Sequence, residues 1–482
     1  MERSMRAILF PWSASGTPGR PGTAAGVLTA GLLTLGLGLG FAPAAARAAG
    51  YVNSEQSPAG VGLAGAMTAR ADDASAIFYN PAGLGFQSGL SIVAGVTLAS
   101  PQQSATSFAA GSDPGGSVFK AAGGVFVLPT IYAAARVSDQ IALGLGVFVH
   151  HGGGADFQNP QDSRPFPGRF EALRTNIQSV TFNPTLSIRI VPEVSVGGGL
   201  DIEVGSLEIV RALALGSAEG RIALSGSSLA FGGNIGALVR LLDGRLNFGL
   251  TFRSALNLRF DSMKVGATAP EGVSLVFPYT QGATNLPTPH TISLGIAGKP
   301  ARWLTISVDA ISSLWSSVHD QRVTLSDGGS LTQTSTIPRS WHDAYSGRLG
   351  VELDLGPVLQ ARTKFWPKVR VGFGYDQSPV PASTLDPSVP DSDRFFPSLG
   401  VSLGYRGLGS IELGYTAVLL RSQASENPNL ALTYDTTIHV FGAAINLQLE
   451  RVFGKRSAAF SARLLDRSPE APPEQSAPPA AL

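Results

Sequence analysis

The sequence contains no cysteine. That excludes disulfide scaffolds, thiolate metal sites and cysteine nucleophiles, and it suits a chain that crosses an oxidising compartment before folding. Charge is also scarce, at 14% of 482 residues against 44% hydrophobic, where an average globular domain carries about 25%. A soluble enzyme uses charge to solvate its helix faces; a chain whose outer face meets lipid has no such need. Neither sign is in excess: 35 Lys plus Arg against 34 Asp plus Glu leave +1, so no field draws in nucleic acid, and a nucleic-acid partner is not expected. Beyond the N-terminal region no uninterrupted apolar run reaches the length of a membrane-spanning helix, so any membrane entry is by a barrel. The six histidines, at 150, 151, 290, 319, 342 and 439, lack an H-E-x-x-H spacing. Most fall in expected loops or near strand ends and read as polar loop residues, and no metal or cofactor is expected.

The N-terminus carries an export signal. Arg3, Arg6 and Arg20 precede an apolar run from Ala24 to Phe41, and Ala46-Arg47-Ala48 offers small residues at both recognition positions of a cleavage site. Residues 1–48 therefore read as a signal peptide cut after Ala48, with translation starting at Met1 or Met5; a retained anchor is the alternative.

The body of the chain alternates with period two. Leu246 to Arg253 places Leu246, Phe248, Leu250 and Phe252 on one side and Asn247, Gly249, Thr251 and Arg253 on the other. Leu304 to Ala310, Arg348 to Leu355, Val369 to Asp376 and Ser410 to Leu419 repeat the pattern. Alternation fits a soluble sandwich as well as a membrane barrel, but the connections separate them. Short turns at 191–193, 242–245, 298–300 and 405–408 alternate with long polar stretches near 150–175, 262–290, 316–341, 376–394 and 421–433. Outer-membrane barrels show this asymmetry. Counting strands gives fourteen, from near Gly89 to near Glu450, an even number that leaves both termini in the periplasm. The pattern predicts an irregular second strand around Phe126 to Arg136, with Pro129 inside it, and a bulge in the last strand between Val440 and Ile445.

Residues 49–87 do not alternate. Their glycine and alanine content fits either a compact plug within the lumen or a periplasmic linker. Here the chain resembles a known family. Gln56-Ser57-Pro58-Ala59-Gly60, Ala71-Asp72-Asp73-Ala74-Ser75 and Asn80-Pro81-Ala82 are similar to the N-terminal hatch of the FadL family of long-chain fatty-acid and aromatic-hydrocarbon transporters. Further similarity runs through Pro167-Gly168-Arg169-Phe170, Phe182-Asn183-Pro184, Trp341-His342-Asp343-Ala344-Tyr345, Gly374-Tyr375-Asp376 and Pro390-Asp391-Ser392-Asp393-Arg394, in order, across roughly residues 50–450.

The resemblance implies an all-β, 14-stranded antiparallel transmembrane barrel (88–450) with a lumenal hatch (49–87), and a periplasmic tail (451–482) whose Pro/Ala-rich end reads as disordered. It implies passive uptake of hydrophobic small molecules, long-chain fatty acids first, aromatic hydrocarbons or alkanes as the alternative. The setting would be the outer membrane of a Gram-negative bacterium, in contact with lipid and lipopolysaccharide, after insertion by the barrel-assembly machinery and as a monomer. The hatch would move about Asn80, Pro81 and Ala82, although Asn-Pro is also a simple turn signal. Exit beside a kinked third strand would fall at Ile141 to His150, where Gly144 and Gly146 mark a kink or close backbone approach, or are ordinary barrel glycine. Asp376, Arg394, His342, Arg348 and Arg370 are the pocket or lumen candidates, as a hatch-holding network or as carboxylate ligands. His342 stands where fatty-acid members often carry Lys, a departure that weighs against carboxylate recognition and leaves room for a neutral aromatic or alkane substrate.

Two rivals remain. Gly400-Val401-Ser402-Leu403-Gly404 fits the G-x-S-x-G pattern of hydrolases, yet lies where a continuous strand is expected instead of the strained elbow that chemistry requires. A nonspecific porin would need an open lumen. A terminal aromatic residue for assembly is absent, and Phe453 is the substitute.

Overall fold

The computed structural model describes residues 51–449, apart from 109–115, 159–161, 163, 360–363, 406 and 429. The signal segment, its cleavage site, the 451–482 tail and Phe453 lie outside the described residues.

The strand pattern folds as fourteen antiparallel staves that close on themselves. They are β1 (Leu90–Ser107), β2 (Phe126–Arg136), β3 (Ile141–Phe148, resuming at Gly152–Asp156), β4 (Arg174–Val191), β5 (Val194–Leu215), β6 (Ala218–Leu241) and β7 (Leu246–Arg253, then Asn257–Thr268). The ring continues with β8 (Gln281–Pro287, then His290–Ala301), β9 (Leu304–Leu314, then Asp320–Ser326), β10 (Thr332–Pro338, then Ala344–Asp354), β11 (Phe365–Asp376), β12 (Arg394–Tyr405), β13 (Gly409–Leu420) and β14 (Leu432–Leu449). Pairing of β1 with β14, from Leu90↔Leu449 to Ser107↔Leu432, closes the cylinder. Closure into a cylinder is the condition for spanning hydrocarbon with strands.

Which face is buried separates barrel from sandwich. Leu145, Phe182, Phe231, Leu294, Leu349 and Ile411 are exposed, with Phe231 at 62%, while Asp201, Glu203, Asp309, Arg348, Glu352 and Arg370 are buried. Grease outside and charge inside is stable only if the outer face is in lipid. No helix among the described residues is long and apolar enough to cross a membrane.

Three local expectations change. The turn placed at Gly298-Lys299-Pro300 falls within β8: pairing skips from Gly298↔Ile306 to Ala301↔Leu304, a bulge, and the chain reverses at Arg302 and Trp303. The polar stretches 262–290 and 316–341 are in large part strand, paired as Asn257–Thr268 with Gln281–Pro287 and Asp320–Ser326 with Thr332–Pro338. There Leu258, Phe260 and Met263 are buried and Arg259, Asp261 and Lys264 are exposed, so the polarity inverts where the wall leaves lipid for water. The bulge expected in β14 is absent, since its register with β1 is unbroken. The pattern slips there because inward-facing Val440 and Ala444 are apolar and buried.

Those residues are covered by the N-terminal segment, which packs inside the cylinder. Helix α1 (Pro58–Gly62), capped by Ser57, is followed by α2 (Ala76–Tyr79) and a 3-10 helix (Pro81–Phe86). Small residues are needed on both sides of this contact. A Cβ on Gly249 of β7 would lie 2.2 Å from the Thr68 carbonyl oxygen, and one on Gly372 of β11 would lie 2.4 Å from Ala64 N.

Candidate functional site

Beneath the site lies a lattice of charges that ties the N-terminal segment to the wall. Arg70 reaches Glu352 of β10 at 2.6 Å, and Glu352 also holds Arg370 at 2.7 Å and Lys368 at 3.2 Å. Arg370 is 3.6 Å from Glu412. Asp309 accepts the Thr68 amide at 2.8 Å. Buried ions of this kind persist only when paired and hydrogen-bonded. Asp73 lies beside this lattice; its burial, with the Glu412 and Asp72 carboxylates nearby, pushes its carboxyl up to about 6.

Asn80 is fully buried and bonded on every side. Its Nδ2 donates to the carbonyls of Thr68 (2.8 Å) and Ala237 (3.1 Å), and its Oδ1 accepts the Ala82 amide (3.2 Å), capping the 3-10 helix that Pro81 begins. Pro81 and Ala82 rest on Gly197 and Gly236 of β5 and β6. These three residues anchor the segment to the wall.

The wall is interrupted at the third stave. Pairing of β3 with β4 runs from Ile141↔Ile188 to Phe148↔Thr181, stops, and resumes as Gly152↔Gln178 with one residue gained by β3. On its other side β3 pairs with β2 only at Ile131–Arg136. The stretch from Phe126 to Thr130 pairs with β1 and, among the described residues, with nothing on the β3 side. Pro129, which has no N–H to donate, lies on that free edge, where proline is tolerated. The interruption falls at Val149 to His151 and not at Gly144 or Gly146, through which pairing is continuous. Those glycines face inward because Ile77 and Leu84 press against them: a Cβ at either would come within 2.9 Å of the N-terminal segment.

Backbone groups released at the interruption are taken up by the start of the described chain. Asn53 N donates to His150 O (2.8 Å), Gly152 N to Tyr51 O (3.0 Å), and Gln56 Nε2 to Val149 O (2.7 Å). Buried backbone polar groups must be satisfied, and here residues 51–56 satisfy them. Tyr51 is thereby fixed in an aromatic pile, 5.5 Å from Trp315 and 6.0 Å from Trp341 between ring centroids.

A cavity of about 710 Å³ occupies this place. Its lining includes Tyr51 and Arg394 within the lumen, the free edge Val125–Pro129, and the outward-facing Val180 and Val204. The cavity therefore runs from the lumen through the wall. Towards the long loops it adjoins a continuous apolar cluster that includes Phe157, Phe166, Ile177, Leu207, Leu258 and Trp315. Arg394 also borders a smaller cavity of about 120 Å³, with Arg348 and Asp376. Arg348 and Arg394 share the Asp376 carboxylate, Arg394 at 3.4 Å, and both guanidinium groups lie over the Phe396 ring.

Of the five candidates, then, Arg394 borders the through-wall cavity, Arg348 and Asp376 lie behind it, and Arg370 belongs to the charge lattice. His342 is exposed on the loop between the two parts of β10, while its neighbour Trp341 is buried, so His342 does not line the pocket. The reading of most histidines as polar residues of loops and strand ends does not cover His150 and His151, which are buried within the lumen at the interruption. Tyr51, Trp315 and the Val149–His151 interruption escape the pattern reading, since only the unpaired edge reveals them. Ser402 lies mid-strand in β12, so the G-x-S-x-G residues form no elbow.

Comparison with known proteins agrees with this architecture. A family model described as outer membrane protein transport protein (OMPP1/FadL/TodX) matches residues 40–453. A long-chain fatty acid transport protein from Escherichia coli O6:H1 is 26% identical over 402 residues, 76% of this chain and 86% of that protein. A 47 kDa outer membrane protein of Pasteurella multocida is 23% identical over 83% of this chain and 94% of its own length. Among solved structures, a Pseudomonas aeruginosa FadL homologue superposes with a TM-score of 0.69 at 20% identity, covering 83% of this chain and all of that one. The P. putida toluene transporter TodX gives 0.64 at 15% identity, over 81% and 97%.

Proposed function

We propose, from the premise that this chain belongs to the FadL/TodX family of outer-membrane transport proteins, that it is a passive channel for long-chain fatty acids. Outer-membrane location and transport of hydrophobic substrates follow from that membership. The finer reading is carried by one observation: an apolar cavity that joins the lumen to the outside of the wall at the unpaired edge of β2.

The apolar cluster beneath the loops captures a chain molecule from the cell surface. Burial contributes about 0.8 kcal/mol per methylene, so about ten methylenes supply about 8 kcal/mol. Such a pocket binds well and releases poorly. Release needs a change in the pocket, and residues 51–87 are placed to make it: they act as a hatch, pivoting on Asn80, Pro81 and Ala82, and their leading residues Tyr51 to Asn53 form part of the cavity wall. The substrate leaves sideways between β2 and β3.

Arg394 supports a carboxylate substrate. Two guanidinium groups share the single Asp376 carboxylate, which leaves Arg394 with donors to offer, and a guanidinium matches a carboxylate fork. Two curated relatives matched over 86% of their own length, from Escherichia coli O6:H1 and Salmonella typhi, are described as long-chain fatty acid transport proteins. The test is uptake of labelled oleate and of toluene by a deletion strain carrying the wild type or Arg394→Ala. Oleate uptake is expected to fall several-fold in the variant with toluene unchanged. Wild type that restores neither solute contradicts the reading.

A further inference from the structure

We infer that His150, His151 and Glu203 form a binding site for a borderline-soft divalent cation of the zinc class, at the interruption of the third stave.

One donor atom from each of the three lies within 4.8 Å of the others. His151 and Glu203 are almost wholly buried, at 1% and 0% exposure, and His150 is 7% exposed. The two imidazole rings are 4.0 Å apart between centroids. The Glu203 carboxylate is fixed in place, accepting from Thr181 Oγ1 at 3.0 Å and lying 2.8 Å from His151 Nδ1. The 2.8 Å contact therefore already sets a carboxylate oxygen and an imidazole nitrogen side by side, so that one ion can take the place of the proton between them.

A second observation points to a ligand. His151 Nε2 and His150 Nδ1 are both buried without a hydrogen-bond partner. Buried polar nitrogens are nearly always satisfied, and the orphaned Nδ1 of His150, in a ring 4.0 Å from that of His151, carries the lone pair that a metal ion takes up. Arg253, which borders the same small cavity as His150, is already engaged by Asp201 and by the Phe78 carbonyl, so its charge is compensated.

Two imidazoles and a carboxylate match zinc, which takes N and O donors at about 2.0–2.2 Å in a tetrahedron. Calcium and magnesium favour all-oxygen sites. Donors now up to 4.8 Å apart need side-chain rotation to reach the roughly 3.4 Å separations that such bond lengths give. His150 borders the small cavity shared with Val52 and Arg394, which provides the fourth position. The ion would tie the interruption of β3 to β5 across β4. On the proposed reading of that interruption as the exit, a bound ion holds the exit in one state.

The test uses the full chain purified in detergent and stripped with EDTA. Calorimetric titration with ZnCl2 is expected to give about one ion per chain and none with MgCl2. His151→Ala and His150→Gln should each weaken binding at least about tenfold, with folding checked by heat-modifiable gel mobility. On unmutated protein, zinc-edge X-ray absorption should show imidazole scattering at about 2.0 Å. Failure of the wild type to bind zinc, equal binding by both variants, or an edge spectrum without imidazole overturns the site. Zinc binding by a protein that restores no oleate uptake leaves the site standing and removes the transport reading instead.

Discussion

At the scale of the residue, function is concentrated in side chains whose surroundings the primary pattern does not display. Asn80 is one whose environment predicts a cost. Asn80→Ala removes a helix cap, worth about 1 kcal/mol, and strands the Thr68 and Ala237 carbonyls it serves. Thermal unfolding in detergent should shift down by a few degrees, and limited proteolysis should cut between residues 51 and 87 faster than in the wild type. An unchanged melt and digest would show that Asn80 is not an anchor. Arg394 was legible because it sits in a family-like block, and its neighbours Arg348 and Asp376 because inward positions in a barrel carry charge only when it is paired. His342 was misplaced for an equally physical reason: position in sequence does not say which of two adjacent loop residues is turned inward, and bulky Trp341 is the buried one.

Elements carry the next level of the account. Stave β3 was found in the right place, but in sequence Gly144 and Gly146 fitted a kink, a close approach or ordinary barrel glycine equally, because glycine marks all three. In the fold the glycines make room for Ile77 and Leu84, and the interruption follows from an extra residue at Val149–His151, which no composition rule marks. The plug-or-linker ambiguity of residues 49–87 was real in sequence, since both are rich in small residues; burial of the described part, 51–87, inside the cylinder is a tertiary fact. Two predictions belong here. Gly249→Ala places a methyl group against the Thr68 carbonyl, and should loosen the segment enough to raise sugar entry in a liposome-swelling assay above the wild-type rate; an unchanged rate would mean that the contact yields elsewhere. The second concerns pH. Asp73 has its carboxyl raised from 3.8 to about 6, so the folded state holds this proton more tightly than the unfolded chain. Its favourable contribution is complete below about 3.8, is lost as pH rises towards 6, and is gone above that. Asp73→Asn should therefore stabilise the protein relative to wild type near pH 7.5 and lose that advantage near pH 4, as read by melting temperature across the series. A difference that does not vary with pH would refute the assignment.

For the whole molecule, the closed wall was legible because a barrel of this kind writes one rule along its length: apolar outward, small or polar inward. The rule inverts where strands rise out of lipid, which is why the upper halves of β7 to β10 read as polar loops. The pairing of β1 with β14 and the unpaired edge of β2 were not legible, since both are relations between distant segments. The account rests on that edge being a passage. Because the chain has no cysteine, Val127→Cys and Gln178→Cys, which line the cavity on its two sides, can be bridged selectively with a reducible bis-thiosulfonate. Oleate uptake by cells carrying the double variant is predicted to fall on bridging and to recover when the bridge is reduced. Uptake that continues undiminished across a bridged gap would contradict the lateral route.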